Sequence, residues 1–153
     1  YRLGIVYFRL VILTNLVYFA LMKNYTVKRS SAGLGLFAAR PYKKGELVIE
    51  YTGEKISDAE AQRRGGKYLF ELNDEWTLDG KGREHTGRYV NHSCTPNCYP
   101  ELTDDETQVF IYAKRAISEG EEFTYNYGKQ YFDIIMGKDG CLCASCVAKR
   151  TKK

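Results

Sequence analysis

The 153-residue sequence has no strong excess of charge of either sign: 23 basic against 19 acidic side chains leave a formal net charge of +4. That balance is too mild to imply nucleic acid as a partner. The single basic run, Lys149-Arg150 and Lys152-Lys153, reads as a solvated tail. No internal repeat or low-complexity tract is visible. What remains is an ordinary globular balance, 44% hydrophobic and 27% charged, in a length that suits one domain and hardly two. Five cysteines are an odd number, and Cys141, Cys143 and Cys146 lie within six residues. This disfavours a secreted disulfide framework and suits thiolate–metal binding in a reducing compartment. A chain of this size buries roughly two-thirds of its unfolded surface, so it needs no metal merely to fold.

There is one long hydrophobic run, residues 3–21. It is long enough to cross a bilayer, but Arg9 and Asn15 interrupt it, and a central arginine costs about 2.5–3.5 kcal/mol on insertion scales. It lacks the small-residue cleavage site of a signal peptide. Position 1 is tyrosine, and Met22 opens a polar-flanked stretch. Met22 is therefore the expected start, with residues 1–21 as a hydrophobic extension outside the working domain. A membrane-tethered protein is the competing reading.

The rest of the chain reads as short strands between glycine-rich turns. Strand character runs over Tyr25–Lys28, Leu36–Ala39, Glu46–Tyr51, Lys67–Leu72, Trp76–Asp79, Val109–Ala113 and Glu122–Tyr127. Residues 30–35 and 41–45 read as turns, and Asn73-Asp74 as a third. Ser57-Asp58-Ala59-Glu60 is a capping-box start for a short helix that Gly65-Gly66 ends. A mostly-β fold follows. Thirteen tyrosines against seven phenylalanines suit half-buried strand surfaces, or narrow aromatic channels with hydroxyl handles.

The chemistry concentrates in Arg88-Tyr89-Val90-Asn91-His92-Ser93-Cys94-Thr95-Pro96-Asn97, a mixture that a packed core does not require. A second polar–aromatic run, Glu121-Glu122-Phe123-Thr124-Tyr125-Asn126-Tyr127, follows it, and then the cysteine cluster. With Gly33-Leu34-Gly35 and Tyr51-Thr52-Gly53, these runs stand in the order found in the SET-domain protein lysine methyltransferases, which the chain resembles from about Tyr25 to Cys146. The resemblance implies a β-clip-like fold of small curved sheets with a pseudoknot and few short helices. A SET domain over 22–137 and a post-SET cysteine tail over 138–153 would make up the working part.

The resemblance also implies a function, S-adenosylmethionine-dependent methylation of protein lysine. A histone tail is the default substrate, with a non-histone protein or a non-catalytic interaction module as alternatives. Gly33, Leu34, Gly35, Tyr68, Arg88, Asn91, His92 and Tyr127 match cofactor-binding positions. Tyr127 matches the catalytic tyrosine, and Tyr125 the position that limits the number of methyl groups, leaning to mono-methylation. Arg88 is expected to pair with Glu122 and hold the crossing segments together. His85 is expected to be a structural hydrogen-bonder and Cys98 a small packing residue. Cys94 would join Cys141, Cys143 and Cys146 around one zinc ion, although two residues separate the last two cysteines here against the family's usual four. Direct nucleic-acid binding and membrane association are not expected, and a monomer is. An intracellular place is implied: nuclear, on chromatin, in a eukaryote, or cytoplasmic or delivered to a host if the source is microbial or viral.

Overall fold

The computed structural model describes residues 24–129, 131–132 and 140–151. The hydrophobic stretch 3–21, Met22 and the expected boundary at 137/138 lie outside the described residues. No helix among the described residues is long and apolar enough to cross a membrane.

Tyr25–Ser30 (β1) and Gly33–Ala38 (β2) form an antiparallel hairpin, with Tyr25 opposite Ala38 and Ser30 opposite Gly33. Its turn is tighter than the sequence suggested, because Gly33 takes φ +111°, backbone open to glycine at no steric cost. Leu47–Glu50 (β3) and Glu54–Ser57 (β4) lead into the helix Asp58–Arg64 (α1). The Ser57 side chain caps that helix by accepting from the Glu60 amide, as the capping box predicted, and Gly65 ends it. Leu69–Glu71 (β5) and Trp76–Asp79 (β6) flank a turn in which Asn73 Oδ1 accepts from the Glu75 and Trp76 amides. A 3₁₀ turn over Thr86–Tyr89 precedes Asn91–His92 (β7). Cys98–Leu102 (β8), Val109–Ala113 (β9), Thr124–Tyr125 (β10) and the helix Ala144–Arg150 (α2) complete the order.

The strands form small sheets: β3-β9-β8, β4-β6-β5, the β1-β2 hairpin and a β10-β7 pair. This is the mostly-β architecture expected. The core gathers where they meet, and β9 shows why. Val109, Ile111 and Ala113 are fully buried, whereas Phe110 and Tyr112 between them are half-buried, the two-residue period of a strand with one face on the core. β8 escaped the pattern because Pro100 sits in its middle and its polarity does not alternate. As the edge strand of its sheet it tolerates a residue without an amide hydrogen.

The expected strand Glu122–Tyr127 changes partners as it runs. Glu122 bridges to Phe37 in β2, the Phe123 amide donates to Leu36 O, and then Thr124 and Tyr125 pair in parallel with Asn91 and His92. A two-residue parallel ladder has little stability of its own. Asn97, 2% exposed, supports it: its Nδ2 donates to Glu122 O at 2.8 Å and its Oδ1 accepts from the Thr124 amide at 2.8 Å. The side-chain amide thus stands in for a missing strand between the two crossing segments. Asn97→Ala leaves a buried carbonyl and a buried amide unpaired, and we expect it to lower unfolding stability by about 2–5 kcal/mol in denaturant titration. A loss below about 1 kcal/mol would show that the crossing holds without that amide.

Candidate active site

The crossing places two hollows on either side of one tyrosine. A cavity of about 380 Å³ is lined by Ala32, Gly33 and Leu34 from the β1–β2 hairpin, and by Lys67, Tyr68, Arg83, Arg88, Tyr89, Asn91, His92 and Tyr127. Cys141, Leu142 and Cys143 of the tail close its remaining side. A groove of about 540 Å³ is lined by Leu69–Leu72, Pro100, Leu102, Tyr125–Lys129 and Tyr131. Tyr127 belongs to both linings.

The Tyr127 hydroxyl donates to Val90 O at 2.9 Å, and its main-chain amide donates to His92 Nδ1 at 3.2 Å. His92 therefore accepts at Nδ1 and carries its proton on Nε2, which lies 3.5 Å from Cys94 Sγ. Burial pushes the His92 imidazole below its ordinary pKa, which keeps it in this neutral form. Around Tyr127 stand the rings of Tyr125 at 4.8 Å, Tyr131 at 5.6 Å and His92 at 5.3 Å. Phe70 and Tyr51 extend the row behind Tyr125. Burial holds the Tyr125 and Tyr127 phenols well above the usual tyrosine value, so at neutral pH both are protonated and neither serves as a base.

Most of the expected cofactor residues share one wall: Gly33, Leu34, Tyr68, Arg88, Asn91, His92 and Tyr127 all line the cavity. Tyr125 lies in the groove instead. Gly35 is buried behind the wall, for a reason local pattern did not show. A Cβ there would lie 2.3 Å from Glu122 Oε1, so its missing side chain leaves room for the carboxylate and not for a ligand. The expected Arg88–Glu122 pair is not formed. The Arg88 guanidinium sits 3.7 Å from the Tyr68 ring centre and donates to Lys81 O, and Glu122 accepts from Ser30 Oγ and Asn91 Nδ2. Stacking on tyrosine holds the cation on the cavity side, away from the carboxylate. His85 Nδ1 lies 3.0 Å from Thr52 Oγ1 and Cys98 is 1% exposed; both are structural, as read from the sequence.

Sequence reasoning missed Lys67, Arg83 and Leu142 on the cavity wall. Lys67 and Arg83 are ordinary surface types and Leu142 a lone apolar residue between two cysteines, so the role of each depends on which segments meet. Asn97 stood inside the run singled out, and its place beside a proline in a polar stretch was the available signal.

The four cysteine sulphurs Cys94, Cys141, Cys143 and Cys146 all lie within 4.8 Å of one another, with Cys94 Sγ 3.7 Å from both Cys141 Sγ and Cys146 Sγ. A tetrahedral metal with sulphur at about 2.3 Å sets its ligands about 3.8 Å apart, so the cluster fits such an ion. The short spacing is explained by α2. Cys143 is its N-cap and the Cys146 amide donates to Cys143 O, so one helical turn brings the two thiols onto the same side. Burial pushes the Cys94 and Cys141 thiols up, the latter to about 12. Burial also acts to raise Cys143, but hydrogen bonds from the Cys94 main chain, the Ser145 hydroxyl and the Cys146 main chain outweigh it and lower this thiol to about 5. A divalent cation held by the four sulphurs would favour their thiolate forms.

The SET-domain family model matches residues 33–128. Histone-lysine N-methyltransferase ATXR7 of Arabidopsis thaliana is 41% identical over 122 residues, covering 72% of this chain and 8% of that protein. Histone-lysine N-methyltransferase 2D of Homo sapiens is 38% identical over 119 residues, 71% of this chain and 2% of that protein. Histone H3-lysine(4) N-trimethyltransferase ATX1 of Arabidopsis thaliana is 35% identical over 114 residues, 67% of this chain and 10% of that protein. The chain therefore spans a tenth or less of the length of these relatives.

Proposed function

The chain belongs to the SET-domain family, and on that premise we propose that it is a protein-lysine N-methyltransferase using S-adenosylmethionine. The observation that carries the reading is Tyr127, which borders both the cavity and the groove. A donor in the first and a lysine in the second would meet at its hydroxyl.

The residues present fit the donor. Arg88 Nε is buried without a hydrogen-bond partner among the described residues, Asn91 and His92 supply polar groups, and Tyr68, Leu34 and Leu142 supply apolar cover. When bound, S-adenosylmethionine supplies an electrophilic methyl group on a sulfonium. The protein's own residues do the positioning. A lysine side chain entering past Phe70, Tyr125 and Tyr131 leaves water, which disfavours its ammonium form and eases loss of the proton. No strong base is needed. The Tyr127 proton is committed to Val90 O, so its oxygen lone pairs are free to accept from an amine N–H and aim the nitrogen lone pair. Tyr125 lines the same groove, and a hydroxyl there would leave less room for an already methylated nitrogen, favouring the addition of one methyl group.

Zinc is the metal proposed for Cys94, Cys141, Cys143 and Cys146, since four thiolates in a tetrahedron suit it. Bound there, it ties the tail to the Asn91–Asn97 segment and holds Leu142 over the cavity. The hydrogen bond from Ser31 Oγ to Leu142 O supports the same closure. The relatives' names make a histone tail the first substrate to test, and chromatin in the nucleus the first place to look. A non-histone protein is the alternative. The extents 22–137 and 138–153 remain our division into domain and tail.

Tyr127→Phe should lower methyl transfer by about 10²–10³-fold while S-adenosylhomocysteine still binds within a few-fold in calorimetry. Near-normal rates would remove Tyr127 from the mechanism. Tyr125→Phe should shift products on a peptide array toward di- and trimethyl-lysine, and an unchanged distribution by mass spectrometry would sink its role in limiting methylation. Elemental analysis of the purified protein should find one zinc per chain. Chelation should remove it and lower the melting temperature, Cys94→Ser should abolish retention, and Cys98→Ser should leave it intact.

A further inference from the structure

The geometry points to Glu122 as a positioning residue that fixes the Asn91 amide so that only its carbonyl oxygen is offered to the cavity, making that wall selective for a ligand bearing an ammonium group. The inference rests on the donor-site reading above and deepens it.

An asparagine amide can face either way round, and its hydrogen bonds decide which. Asn91 Nδ2 donates to Leu34 O at 3.0 Å and to Glu122 Oε1 at 2.8 Å, which uses both of its hydrogens. Turned over, Asn91 would set its own oxygen against a carbonyl and a carboxylate at hydrogen-bonding distance, and both contacts would become repulsive. The observed orientation is therefore strongly preferred, and what the side chain has left for a ligand is Oδ1, an acceptor only. An acceptor backed by a carboxylate suits a cation such as an α-ammonium group and opposes an anion or a second acceptor.

Glu122 is itself held in place. Ser30 Oγ donates to its other oxygen at 2.8 Å, and the absent Cβ of Gly35 makes the space it occupies. Its main chain is anchored on both sides, bridged to Phe37 of β2 and accepting from Asn97 Nδ2. Glu122 does not line the donor cavity; it acts on that cavity through Asn91. The arrangement joins the β1–β2 hairpin, the Asn91 segment and the crossing segment around one amide.

The test is calorimetric and needs no turnover. S-adenosylhomocysteine carries the amino-acid end; 5′-methylthioadenosine keeps the adenosine and sulphur but lacks that end. Against the unmodified protein, Glu122→Ala should weaken S-adenosylhomocysteine by about 10–100-fold, the worth of a charged hydrogen bond, and leave 5′-methylthioadenosine within about twofold. Glu122→Gln should restore most of the affinity, because its carbonyl still accepts from Asn91 while its amide donates to Ser30. A merely structural role would lower both ligands together, and that result overturns the proposal. So does an unchanged affinity for S-adenosylhomocysteine in Glu122→Ala. Should Glu122→Ala fail to fold, an isosteric pair decides the matter. Asn91→Asp should lose S-adenosylhomocysteine selectively, and adding Glu122→Gln should recover part of that loss by returning a donor to the contact. No recovery overturns the proposal. If the unmodified protein binds neither ligand, the donor-site reading falls, and this inference with it. If it binds S-adenosylhomocysteine and the variants do not discriminate, only this inference falls.

Discussion

The buried amide of Asn97 is the contact on which the site depends. It takes one hydrogen bond from the Thr124 amide and gives one to Glu122 O, and so splices the segment after Pro96 to the segment that carries Tyr125 and Tyr127. The ladder beside it pairs only two residues on each strand. In water so short a parallel contact would not persist, because ordering each backbone residue costs about 1–2 kcal/mol. Inside the core the balance reverses. Asn97 is 2% exposed and Phe123 is fully buried, so separating the segments would strand polar groups away from water and open the apolar core together.

Once the segments are spliced, the chemistry of the site follows from proximity. His92 and Tyr127 meet because β7 pairs with β10, which ends two residues before Tyr127, and His92 then accepts from the Tyr127 amide. Val90, one residue before the ladder, presents the carbonyl that accepts from the Tyr127 hydroxyl. Cys94, two residues after it, reaches the tail cysteines. Cavity, aromatic row and thiol cluster thus gather around one crossing. The Asn91 amide, held between Leu34 O and Glu122, belongs to the same crossing.

Much of this was legible in the sequence, for identifiable reasons. Val109–Ala113 is a short apolar run in the sequence, and it formed the strand predicted, with one face on the core. The capping box at Ser57 acts within one helical turn, so local pattern sufficed. Cys98–Leu102 was invisible because a proline and mixed polarity hide an edge strand whose pairing lies wholly with β9. The Arg88–Glu122 pair was a reasonable matching of charges. It failed because each found a nearer partner: the Tyr68 ring for Arg88, and Ser30 and Asn91 for Glu122. Gly35 was expected at the cofactor, but the group its missing side chain makes room for is Glu122, 87 residues further along the chain.

By itself the sequence determined what depends on neighbours along the chain: strand periods, helix caps, the turn at Gly33, and an inventory of thiols, phenols, amide and imidazole in two short runs. The tertiary structure alone decided which of those groups touch. Asn91 meets a carbonyl 57 residues away, and Cys94 a sulphur 47 residues away. Such contacts arise from two segments crossing in a common core. Local hydrophobic pattern does not encode a crossing, because burial of each strand is satisfied by any apolar partner. The choice among partners was made by the few buried polar groups that tolerate only one.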